Sequence, residues 1–141
     1  MRYFLLGILA LVGSACSNSG GQSAGDELTT KFKEVMVVHD LVMPRMQEVR
    51  KLNKALDALR SEAESDSSKS VLSLDEINAA ADSLEIIEAE MMEWMHTFEA
   101  DQSPETSDQE RLKYLEERKL AMERVGEHFE RNIQFVEELV K

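Results

Sequence analysis

The chain has a single cysteine in 141 residues, Cys16, and that scarcity closes off several chemistries. No intramolecular disulfide can form, and no cysteine-rich zinc site or two-cysteine redox motif can be assembled. Glycine and proline are rare as well, at six and two residues, and no glycine-rich stretch has the spacing of a phosphate-binding loop. HExxH and G-x-S-x-G are both missing, so neither a zinc peptidase helix nor a hydrolase nucleophile elbow is expected. Strand signals are absent. Positive charge is in deficit: 16 Lys and Arg stand against 28 Asp and Glu, a formal net charge of −12. A field of that sign repels phosphate backbones and anionic headgroups, which argues against nucleic acid as a partner. Nothing in the residues points to an enzyme.

What is present begins with residues 1–15, MRYFLLGILALVGSA. One positive charge at Arg2, an apolar run from Tyr3 to Val12 and then small residues follow the plan of a secretory signal. The run is too short for a permanent membrane span. Cys16 comes next, after Gly13-Ser14-Ala15, and the arrangement resembles the lipobox of bacterial lipoproteins, with Gly13 where that pattern usually has Leu, Val or Ile. The resemblance implies a lipoprotein signal peptide over 1–15 and acylation of the Cys16 thiol, with Cys16 as the new N-terminus. Residues 16–26, CSNSGGQSAGD, then form a lipidated flexible tether. Ser17 is not the aspartate that retains some lipoproteins in the inner membrane, and no acidic motif directly follows the cysteine. The implied place is therefore the outer membrane, facing the periplasm. Removal of 1–15 takes away Arg2 and no acid, so the lipid rather than a basic face must hold the chain at the membrane.

Residues 27–141 are long enough for one core, and their periodicity is helical throughout. Helix 1 is expected from about Glu27 to Glu62, with the seam Leu28, Phe32, Val35, His39, Val42, Met46, Val49, Asn53 and Leu56. A serine-rich loop follows, and Ser73-Leu-Asp-Glu76 is a capping box that opens helix 2. Its seam is Leu74, Ile77, Ala81, Leu84, Met91, Met95 and Phe98, with Ile87 and Trp94 beside it. Ser107-Asp-Gln-Glu110 caps helix 3, which runs to the C-terminus through Leu112, Leu115, Met122, Phe129, Ile133, Val136 and Val140. The expected fold is all-α, an up-down-up antiparallel three-helix bundle with long helices and a proline kink in helix 1 at Pro44. Loop lengths then level His39 with His96 and Met43 with Met92. The same rule levels Gly126 with Ala80, and His128 with Asn78.

This levelling brings VMVVHDLVMPRM, residues 35–46, beside EMMEWMHTF, residues 90–98. Met36, His39, Met43 and Met46 share one face of helix 1. Met91, Met92, Met95, Trp94 and His96 come from helix 2, and Tyr114 lies at about this height on helix 3. On one reading, methionine fills irregular space around the proline kink and the layer needs no cofactor. On another, thioether and imidazole form a soft ligand set suited to Cu(I), with His39, Met43, Met92 and His96 as principal ligands and Met36, Met46 and Met95 near them. Haem held by one histidine and one methionine is a third reading, for which three helices leave little room.

The signal, the motif VMVVHDLVMPRM, the motif AEMMEWMHTFE at 89–99 and YLEE at 114–117 together resemble small helical lipoproteins of Bacteroidota-type bacteria, often labelled "viral A-type inclusion protein". The resemblance spans nearly the whole mature chain and implies a bacterial envelope origin. It puts His39, Asp40, Met43, Pro44, Met46, Met92, Trp94, Met95, His96 and Phe98 at motif positions without naming a ligand. The expected function is a non-catalytic, outer-membrane-anchored helical module that binds an envelope protein partner or associates with itself. The alternative is a periplasmic Cu(I)-binding or copper-buffering protein. A factor that binds other envelope proteins through its acidic faces is a further possibility.

Overall fold

The computed structural model describes residues 23–66 and 72–141, and every regular element within them is an α-helix. Cys16 and the expected signal and tether up to residue 22 lie outside the described residues, as does most of the serine-rich loop, 67–71. The expected first helix is two segments, α1 (Ala24–Val42) and α2 (Arg45–Ser65); α3 (Leu74–Thr97) and α4 (Asp108–Leu139) follow. The start at Ala24 precedes the expected residue 27 because Ser23 caps it, its Oγ accepting from the Asp26 amide at 3.3 Å. Both capping boxes form. Ser73 Oγ accepts from the Glu76 amide and the Glu76 carboxylate accepts from the Ser73 amide at 2.9 Å; Ser107 and Glu110 repeat the arrangement, with the return bond at 3.0 Å.

Between α1 and α2 the hydrogen-bond ladder changes. Met43 N–H still donates to His39 O at 2.8 Å, but Pro44 has no N–H, so the Asp40 carbonyl loses its helical donor. The next bonds span three residues, from Met46 N–H to Met43 O at 3.2 Å and from Gln47 N–H to Pro44 O at 3.0 Å.

Contacts between helices show a regular pattern. Lys31 meets Glu116 at 2.9 Å, Lys119 meets Glu34 at 3.2 Å and Arg45 meets Glu130 at 2.8 Å, every pair 85 residues apart. From α3 to α4 the numbers run oppositely: Glu90 meets His128, Trp94 meets Arg118 and Glu99 meets Tyr114. The level estimate for α4 is corrected here. Gly126 faces Val42 rather than Ala80, and His128 faces Glu90 rather than Asn78. The cause is the connection after α3, which folds back along α4 before turning: Arg111 donates to Ser103 O at 3.0 Å. The start of α4 therefore overhangs the end of α3 by roughly two turns.

The core follows the seams closely. Val35, Val42, Met46, Val49 and Leu56 are buried on α1 and α2, Ile77, Leu84, Ile87, Met91 and Trp94 on α3, and Leu115, Met122, Phe129, Ile133 and Val136 on α4. Fully burying a side chain such as Leu84 or Phe129 stabilises by about 1.5–3 kcal/mol. Leu74 departs from its seam and stands exposed, because it is the first residue of α3 and lies at the edge of the packed region.

Candidate functional site

The residues expected to form a Met/His layer differ in burial. Met46 and Met91 are buried, Met36 and Met95 half-buried, and Met43, Met92 and His96 exposed. Met92 sits one residue from buried Met91, which turns its side chain about 100° round the helix and out of the interior. His39 does point inward, yet its Nδ1 lies 2.9 Å from Asp40 Oδ1 and its ring stacks on Trp94, with centroids 5.7 Å apart. The seven thioether and imidazole candidates thus differ in exposure, from buried Met46 to exposed Met92. Among the described residues no three of His, Cys, Asp and Glu are grouped as metal ligands either.

Aromatic groups converge instead. Phe98 stacks on Trp94 at 4.8 Å and 10°, and touches Phe32 at 6.1 Å and Tyr114 at 6.3 Å. With His39 also stacked on Trp94, a cluster of rings joins α1, α3 and α4. Polar bonds lock it. Trp94 Nε1 donates to Arg118 O at 3.0 Å, and the Arg118 guanidinium returns a bond to Trp94 O at 2.8 Å while lying 5.1 Å over the indole. Tyr114 OH accepts from the Glu99 amide at 2.7 Å. Arg118 is the residue that sequence reading missed. Its spacing from Tyr114, four residues on one helix, is the signal that would have placed both on the same face.

Beneath the overhang of α4 lies an open hollow of about 370 Å³, with Leu28, Phe32, Ala100 and Leu115 as its apolar lining and Thr29, Glu99, Asp101, Gln102 and Arg111 as its polar one. Gln102 Oε1 and Arg111 Nε are buried there without hydrogen-bond partners. The hollow suits a group with an apolar body and a polar end. It exists only because the chain after α3 folds back, which no periodicity records.

Charge is organised along the α1–α4 contact. Lys31 lies between Glu116 and Glu34, and its ammonium is pushed above the usual lysine range, chiefly by the bond to Glu116 and then by Glu34. Glu34, held by Lys31 and then by Lys119, has its carboxyl pushed below the usual range. These partly exposed pairs set register more than stability. Elsewhere large apolar side chains stand in solvent: Leu41 is 72% exposed, Val37 and Ile86 58% and Met92 57%. Among the described residues no helix is long and apolar enough to cross a membrane. No family model, curated protein or solved structure matches the chain.

Proposed function

We propose that this chain is a non-catalytic lipoprotein of a bacterial envelope, anchored to the outer membrane by acyl chains on Cys16, facing the periplasm, and acting as a helical binding or assembly module. On this reading the domain is an up-down-up antiparallel three-helix bundle whose first helix, α1 with α2, is kinked at Pro44. Support for that arrangement comes from the constant 85-residue offset of the ion pairs that α1 and α2 make with α4, the opposed numbering of α3–α4 partners and the missing Pro44 amide.

The observation that carries the binding reading is the set of Leu41, Val37, Ile86 and Met92, which remain exposed although the core is filled by other residues of the same helices. Exposed large apolar groups on rigid helices serve contact with another surface better than any chemistry. The signal, the tether and the likeness of the two motifs to envelope lipoproteins support the location. The copper reading has less beneath it, since Met43, Met92 and His96 face solvent and His39 is engaged by Asp40 and Trp94.

Two measurements test the proposal. Metabolic labelling with a fatty acid is expected to mark the wild-type chain in the membrane fraction and to be lost in Cys16→Ala; equal labelling of both overturns the anchor. A photo-crosslinking amino acid placed at position 41 or 86 in the full chain is expected to give discrete adducts in the envelope, while the same group at exposed position 113 gives none. Indistinguishable patterns at all three positions overturn the module.

A further inference from the structure

We propose that the outer face of α3 is the docking surface for a cationic amphipathic segment of a partner protein, an inference that rests on the binding-module reading and names the chemistry of its partner. Over 24 residues α3 carries seven carboxylates and no lysine or arginine. Glu76 is engaged in its capping box and Glu90 holds His128, but Asp82, Glu85 and Glu93 are exposed and form no ion pair among the described residues. Charge of one sign is therefore left facing outward.

Inside this acidic frame stand Ile86 and Met92, 58% and 57% exposed, with Ala89 between them, also exposed. Spaced i, i+3 and i+6, the three make an oblique apolar stripe across the helix. The buried residues Ile77, Leu84, Ile87 and Met91 define the inner face, and Ala89 lies opposite their mean direction, at the middle of the outer one. Its small side chain leaves a notch between the two large ones. Glu85 and Glu93 lie one turn before and one turn after Ala89, at the stripe's borders.

A helix with a narrow apolar face flanked by lysine or arginine complements both features: its apolar residues cover Ile86 and Met92, and its cations meet the unpaired carboxylates. A second copy of this chain does not fit, because its own net charge of −12 is of the same sign. Anionic lipid is repelled for the same reason. The exposed apolar pair on α1, Val37 and Leu41, lacks such a frame: Lys33 and Arg45 lie near it along the helix together with Asp40.

The test titrates the full chain, in neutral detergent, with two synthetic peptides of identical leucine and lysine composition. One is patterned as an amphipathic helix and the other is scrambled so that no apolar face forms. The patterned peptide is expected to bind more tightly. Replacing Ile86 and Met92 together by serine, or Glu85 and Glu93 together by glutamine, is expected to weaken it by about tenfold or more. Val37→Ser with Leu41→Ser is expected to leave it unchanged, and circular dichroism confirms that each variant keeps its helices. Equal binding of the scrambled peptide, or indifference to both α3 variants, overturns the docking surface. In the envelope, adducts from position 41 with none from 86 overturn it while the module reading stands. Adducts from 86 to a second copy of this chain also overturn it.

Discussion

At Gly126 one hydrogen atom in place of a methyl group decides how α4 sits against α1. A Cβ built there would lie 3.0 Å from Val42 Cγ2, tighter than ordinary carbon contact. Val42 is β-branched and buried, so it has little freedom to move aside. Gly126→Ala gains about 1 kcal/mol of helix propensity, but overpacking of this kind costs about 1–3 kcal/mol. The expected net effect is a loss of about 1 kcal/mol in urea unfolding. With Val42→Ala also present, the pair should be less destabilised than the separate changes predict; strict additivity would show that the contact relaxes without strain. The small residues Gly126 and Ala80 are plain in the sequence, but their expected levelling does not hold, because Gly126 meets Val42 instead. A residue's type can be read directly, whereas its partner depends on where a distant helix begins.

At the scale of elements, helix starts are set by side chains a few residues away. Ser73 and Ser107 each satisfy an amide that has no partner within its helix, so Ser73→Ala and Ser107→Ala are each expected to lower stability by about 1 kcal/mol. Chemical denaturation checks this, and the m value should stay constant because the folded surface is unchanged. No loss in either variant would show that the first turns are held by packing alone. These starts were legible because a capping box is local chemistry. The division of the first helix at Pro44 was legible for the same reason, since a missing N–H needs no tertiary information. The connection between α3 and α4 was not. Pro104 and the polar residues around it announce a turn, but only the bond from Arg111 to Ser103 O shows that the chain doubles back.

For the whole molecule, pH acts through groups whose protonation differs between folded and unfolded chains. The carboxyls of Glu34, Glu76 and Glu110 are all held below the usual range, by Lys31 and Lys119, by the amide and hydroxyl of Ser73, and by the hydroxyl and amide of Ser107. Folding therefore favours their ionised forms. That stabilisation is complete above the ordinary glutamate value of about 4.3 and is lost as pH falls through the lower folded values. Lys31 works in the other sense: its contribution is complete below the ordinary lysine value of about 10.4 and is lost as pH rises through its raised folded value. The difference in urea midpoint between wild type and Glu34→Gln is thus expected to be constant near neutrality and to shrink as the pH drops below about 4. A difference that grows on acidification would reverse the assignment. By itself the sequence determined the helices, their caps, their interruption and their buried faces, because hydrogen bonding within four residues and a 3.6-residue period are properties of short segments. Only the tertiary structure decided that four aromatic rings and the His39 imidazole meet at the crossing of α1, α3 and α4, and that Met92 faces outward. Those outcomes depend on rotations and offsets of whole helices, and an offset of a few residues carries a side chain from the interior to solvent.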